Sequence, residues 1–189
     1  DDSVSSPHVN KGSALSTSRV VPSLTVGLPT RLENILIERM QKAETLGQRI
    51  TYYRAFFFLS SSEKARRVLK EMLKGGEEVS RKDAKTQSGE PIPLKTKDRF
   101  DIVTRLLILN DPEAPKLLAD LEKTETSDDA KRYAFAAKAG IPTAENKAKY
   151  WNDFVNNREI SESWIEAAFG PWNSIKHSEL TLPYLQKAL

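Results

Sequence analysis

Chemistry needs side chains that trade protons, attack carbon or hold metal, and this chain is poor in them. Its only histidines are His8 and His177. Neither belongs to an H-E-x-x-H pair, the spacing that sets two imidazoles on one helix face around zinc. No Gly-x-Ser-x-Gly elbow presents a serine nucleophile. Gly75-Gly76 lacks the further glycines and the Lys-Ser/Thr of a phosphate loop. With no cysteine, thiolate chemistry and disulfides are excluded. The acidic pairs Asp128–Asp129 and Glu77–Glu78 read as helix caps and loop residues. Nothing selects a catalytic carboxylate pair from them. The expectation is no catalytic residue and no metal ligand in these residues.

Basic residues gather at Arg66–Arg67–Lys70–Lys74, at Arg81–Lys82–Lys85 and at Lys95–Lys97–Arg99. Two readings compete. The clusters line a groove for phosphates or a peptide carboxylate, with Lys95, Lys97 and Arg99 the substrate-binding candidates. Alternatively they are solvated helix faces interleaved with acids. The balance of 29 basic and 26 acidic residues, net charge +3, favours the second. It is not the one-sided field of a nucleic-acid binder. Mean hydropathy is −0.51, and no apolar run nears the ~20 residues of a membrane span. A soluble protein is expected, with the cytoplasm the favoured compartment.

The elements that would position these groups are helices. Residues 1–29 are rich in Ser and Pro and read as a tail or inter-domain linker. Alternation at Leu24, Val26 and Leu28 leaves room for one short strand. Asp1 in place of an initiator Met reads as a processed, cut or excerpted chain. From Thr30 onward, caps and stops recur. Thr30-x-x-Glu33 reads as a capping box opening a helix with Leu32, Ile35, Leu36, Met40, Ala43 and Leu46 inward and Gly47 as its stop. Ile50–Leu59, containing AFFFL, reads as a buried helix. Ser60-x-x-Glu63 opens the next, which Gly75-Gly76 ends, and Glu77–Pro93 is a long polar connection.

A helix from Thr96 buries Phe100, Val103, Leu106 and Leu107. Asp111-Pro112 starts another, and Thr126-x-x-Asp129 the next, whose alanines call for close helix–helix approach. Gly140 and Pro142 stop that helix, and Thr143 caps one with Ala144, Ala148, Trp151 and Phe154–Val155 inward. Ser161–Phe169 is a shorter helix stopped by Gly170-Pro171. Leu180, Leu182, Leu185 and Leu189 mark a last one. Trp151, Trp164 and Trp172 read as core. About nine helices on short turns, with no repeat of fixed period, predict an all-α fold. The expected architecture is an irregular superhelix, an α-solenoid of the HEAT or armadillo kind built from antiparallel helix pairs. A compact helical bundle is the alternative.

Several segments also resemble, in order, the C-terminal helical domain of zinc aminopeptidases of the aminopeptidase N family. They are GEPIPLKTKDRF (Gly89–Phe100), IVTRLLILND (Ile102–Asp111), a charged helix ending at Glu122–Lys123–Thr124, and AKRYAFAAKAGIPTAENKAKYW (Ala130–Trp151). Ser161–Leu189 follows, with its Gly-aromatic break and Leu182-Pro183-Tyr184-Leu185. Residues 31–189 carry the resemblance, most clearly from 89 onward. Order and spacing carry it rather than any single motif. The family's H-E-x-x-H, distal glutamate ligand, G-x-M-E-N motif and catalytic tyrosine belong to upstream domains and do not occur here. The chain also ends before the family's final helices.

The resemblance implies that residues 30–189 are the non-catalytic helical-repeat domain of a zinc metallo-aminopeptidase. Such a domain caps the active-site chamber and restricts peptide access. Zinc belongs to the parent enzyme and not to this segment. The implied partners are the upstream catalytic domain of the same polypeptide and peptide substrates, with neither nucleic acid nor membrane. A free-standing helical-repeat adaptor that binds protein or peptide is the second reading. A nucleic-acid binder using Arg66, Arg67, Lys95, Lys97 and Arg99 is the third.

Overall fold

Several helices open where a side chain satisfies free N–H groups. The structure, a computed structural model, describes residues 24–79 and 92–188. Among the described residues there are nine α-helices, one short 3-10 turn and no strand. They are α1 Leu24–Lys42, α2 Leu46–Leu59, α3 Glu63–Val79, α4 Thr96–Ile108, α5 Ala114–Thr124, α6 Asp128–Ala139, α7 Ala144–Asn156, α8 Glu162–Trp172 and α9 Ser178–Ala188. The turn Ile175–His177 lies between α8 and α9.

The cap chemistry follows side-chain reach. Thr45 and Gln48 form a reciprocal capping box at the start of α2, with Gln48 N–H donating to Thr45 Oγ1 at 3.3 Å. Ser127 Oγ accepts from Ala130 N–H (3.2 Å) at α6, and Thr143 Oγ1 accepts from Asn146 N–H (3.2 Å) at α7. α4 ends differently. Asn110 N–H donates to Leu107 O and Asp111 N–H to Leu106 O, each at 2.9 Å, with Asn110 at φ 53°. That is a Schellman stop with asparagine in the left-handed position, a residue that tolerates it better than most.

Several boundaries differ from the sequence expectation. α1 begins at Leu24, so Leu24–Leu28 is helix rather than strand, and Thr30 lies inside it. Gly47 sits in the first turn of α2 instead of ending α1. α3 runs through Gly75-Gly76 to Val79 and α8 through Gly170-Pro171 to Trp172. A helical glycine costs only about 1 kcal/mol against alanine, which flanking turns and packing outweigh. Pro171 falls in the last turn of α8, where Trp172 is fully buried. α5 and α6 open at Ala114 and Asp128, with Glu113 and Ser127 as their caps. Arg81–Lys82–Lys85, most of the 77–93 connection, and residues 1–23 with His8 lie outside the described residues.

The inward faces also differ from expectation in three helices. In α1, Glu33, Ile37 and Met40 are buried, whereas Leu32 is partly and Ile35 half exposed. In α2, Phe56 is fully buried but Phe58 is 77% exposed. Successive residues on a helix turn by about 100°, so three consecutive phenylalanines cannot share one face. α7 buries Lys147 and Tyr150, while Ala148 and Val155 face outward.

Two apolar clusters result. The larger joins α1–α6 around Phe56, Leu69, Phe100, Ile102 and Leu106. The smaller joins α6–α9 around Tyr150, Ala168 and Trp172. Helix α6 serves both, giving Ala134 and Ala137 to the first and Ala136 and Ala139 to the second. Its small side chains let α4 and α8 both pack closely on it. At the end of α6, a Cβ on Gly140 would meet Ile108 Cγ1 at 3.0 Å and Ala137 O at 3.1 Å. Gly140→Ala is therefore expected to lower stability by about 1–2 kcal/mol, overpacking outweighing the lost chain entropy. Urea unfolding measures it. A double-mutant cycle with Ile108→Ala is expected to be less than additive.

Candidate functional site

The corner between α2 and α3, residues Phe58–Ser62, is held by two charges of opposite sign. Arg105, on α4, donates from Nε to Ser60 O (2.9 Å) and from Nη2 to Ser60 O (2.6 Å) and Phe58 O (3.1 Å). These carbonyls end α2, so a cation meets the negative end of a helix. Glu33, on α1, accepts with Oε1 from Ser61 N–H (2.7 Å), Ser61 Oγ (3.0 Å) and Ser62 N–H (3.1 Å). Those donors open α3, so an anion meets the positive end of the next helix. Four helices are thereby tied at one turn.

Burial pushes the Glu33 carboxyl up, but the hydrogen bonds from Ser62 and Ser61 together outweigh it and hold it below the usual glutamate range. Burial pushes the Arg105 guanidinium down, opposed by the nearby Glu33 charge. A depressed carboxyl stabilises the fold above its unfolded pKa, and that contribution disappears as pH falls through the folded value. Glu33→Gln is thus expected to cost about 1–3 kcal/mol at neutral pH. It is also expected to flatten the loss of stability between about pH 5 and pH 3. Thermal melts of both proteins across that range check it.

Beside this corner lies a groove of about 400 Å³. Phe57 and Phe58 form one wall, Asp101, Thr104, Arg105 and Ile108 the floor, and Gly170, Pro171 and Ser174 the far side. It is mostly apolar. Thr104 Oγ1 donates to its own helix at Phe100 O (2.7 Å), and Arg105 is committed to carbonyls, so neither is poised as an acid or base. His177 stands nearby on the same side chain layer as Ile108, its Nε2 2.8 Å from Ile108 O and its Nδ1 3.6 Å from Glu179 Oε1. That histidine ties the 175–177 turn to the end of α4.

The substrate-binding candidates do not converge on one point. Lys95 is exposed at the cap of α4, its backbone N–H donating to Asp98 Oδ2 at 3.0 Å. Lys97 pairs with Asp101 at 2.6 Å along the helix surface. Arg99 pairs closely with Glu125, which also accepts from Thr96 Oγ1 at 3.1 Å, fastening α4 to the turn before α6. In the neighbouring cluster, Lys70 pairs with Glu113 (2.6 Å) and Asp111 (3.3 Å), and Arg66 lies 3.9 Å from Asp111. Glu113 foremost, with Asp111, holds the Lys70 ammonium above its ordinary range. Lys97, Arg99, Lys70 and Arg66 are thus joined to acids of the same chain. Phosphate neutralisation needs unpaired charge aligned along a strand.

Sequence patterning missed Lys147. It is fully buried between α6 and α7, its Nζ donating to Ala139 O at 2.8 Å. Its own carbonyl accepts from Trp172 Nε1 at 3.0 Å. Burial pulls the ammonium down to about 8. The side chain is enclosed, so it acts on the fold and not on a ligand. A trace was present in the sequence: positions 147, 150, 151 and 154 share one helical face, and only the charge type disguised the first.

Among the described residues, no group of three or more His, Asp or Glu side chains is placed to hold a metal ion. Among the described residues, too, no helix is long and apolar enough to cross a membrane. No protein-family model matches the chain, and no curated protein matches it.

Proposed function

We propose that this chain is a helical wall of a zinc metallo-aminopeptidase. It is a non-catalytic domain that covers the chamber of an upstream catalytic domain and restricts which peptides enter. The observation that carries the reading is how the motif-bearing helices stack. α4 packs on α6 and α6 on α8, while α5 and α7 make fewer contacts with that layer. Alternate elements sharing one layer is one feature of stacked helical repeats. The segments that build this layer are those in which the resemblance is clearest. The polar groups around the layer, Arg105, Arg99 and Lys147, are spent on backbone carbonyls and an ion pair.

Such a wall works by exclusion. A closed chamber admits a short unfolded chain with a free N-terminus and rejects a folded one, and closure removes bulk water from the cut. The zinc and the groups that activate water belong to the catalytic domain. The adaptor reading is favoured by one feature, the open apolar groove beside α8 described below. The two differ in a simple assay. The isolated chain is expected to release no amino acid from aminoacyl-arylamide substrates, with or without added zinc. Zinc-dependent turnover by the pure chain would overturn the proposal. Retention on heparin that vanishes steeply with salt would favour the nucleic-acid reading instead.

A further inference from the structure

We infer that the outer face of α8 is a docking groove for a basic amphipathic helix of another protein segment. The groove is about 720 Å³, within the range of ligand-binding clefts, and shares only Gly170 with the lining of the groove beside the Arg105 corner. Ile160, Ile165 and Phe169 supply its apolar surface, and Gly170 leaves its end open. Glu162 and Glu166 supply its rim. Among the described residues no lysine or arginine lines it, although Arg158 precedes it in the chain.

The charge pattern identifies the occupant. Glu162 suits the first turn of α8, where the helix dipole favours an acid. Glu166 has no such reason, and at i,i+4 it repels Glu162. Two carboxylates bordering an apolar floor complement lysines or arginines flanking apolar anchors. They also repel an anionic lipid surface. The form of the occupant follows from the backbone. The groove runs along a helix whose N–H and C=O groups bond internally, so an extended strand would find no ladder to join. A helix satisfies its own backbone and needs only side-chain contacts. Apolar residues at i, i+3, i+4 and i+7 would lie over Ile165 and Phe169, with cations reaching Glu162 and Glu166. Phe169 packs on Phe154 and Trp172, at 6.1 and 5.7 Å between ring centroids, which holds the floor rigid. This surface does not depend on the peptidase reading.

The test uses the full chain and a fluorescent synthetic helix, LKKLLKKLLKKLLK, with LEELLEELLEELLE as its charge-reversed control. Saturable binding of the lysine peptide is expected, with little binding of the glutamate peptide. The double variant Glu162→Lys/Glu166→Lys should weaken it about tenfold or more. Glu38→Lys/Glu44→Lys, at a groove between α1 and α2, should leave it unchanged. On the wild-type chain, amide shifts in NMR should cluster at residues 160–170. Equal binding of both peptides, no saturable binding, equal loss in the two double variants, or shifts centred elsewhere would each overturn the inference.

Discussion

Trp172→Ala is expected to lower the stability of the α6–α9 half by about 3–5 kcal/mol, the upper range for a buried aromatic truncation. Trp172 is fully buried, and its ring meets those of Trp151, Phe154, Phe169 and Tyr184. The Trp151 ring stacks on it at 5.7 Å and 23°, the Phe154 ring meets it edge-on at 5.8 Å. These geometries add attraction beyond burial. Its Nε1–H also donates to the Lys147 carbonyl, tying α8 to α7. The smaller cluster has few other large buried residues, so no neighbour can refill the space. Trp172→Phe keeps a ring and loses the donor, for a smaller cost of about 1–2 kcal/mol. Urea unfolding followed by tryptophan fluorescence at Trp151 and Trp164 measures both. A cost below about 1 kcal/mol for the alanine variant would mean that this cluster does not hold the half together.

Lys147 makes stability rise with pH, with the same sign as Glu33 but on the alkaline side. Its ammonium is pulled down to about 8 by burial, against 10.5 when unburied. Below the folded value the native state carries a buried charge. Between the two values the unfolded chain holds a proton that the native state has released, so stability increases with pH. The gain is on the order of 3 kcal/mol by pH 10. It ends there because burial, foremost, pushes the Tyr53 and Tyr150 hydroxyls far up, so the unfolded chain ionises first. Lys147→Met keeps the stem's volume and removes the charge. The variant is expected to be more stable than the wild type at pH 7 and to show no rise between about pH 8 and pH 10. Melting temperature against pH checks it. A parallel rise in both proteins would assign the effect elsewhere.

Helix content was legible because spacing and caps agree from α4 onward. Phe100, Val103, Leu106 and Leu107 are buried as their periodicity requires, and Thr143 caps α7 through Asn146. Gly140 stops α6 as expected, for a reason no spacing contains: Ile108 crowds its α-carbon. Glycine and proline misled at Gly47, Gly75-Gly76 and Gly170-Pro171. Their local cost is small beside the packing of whole helices.

The polar interior was illegible. Glu33, Arg105 and Lys147 have the residue types of a solvated face. Each is drawn inward by backbone groups from distant turns, 28, 45 and 8 residues away. Such partners are set by tertiary contact, and hydropathy carries no record of them. The same holds for Arg99, whose acid Glu125 lies 26 residues on, whereas Lys97 pairs locally with Asp101 one helical turn away. The acidic groove on α8 was hidden in a different way. No spacing singled out Ile160, Ile165 and Phe169, and only the fold leaves Phe169 exposed beside the half-buried isoleucines.

The reading frame upstream of Asp1 tests the central claim most directly. The account predicts an H-E-x-x-H motif followed by a further glutamate ligand in the same polypeptide. A stop codon or an unrelated domain in that position would contradict it.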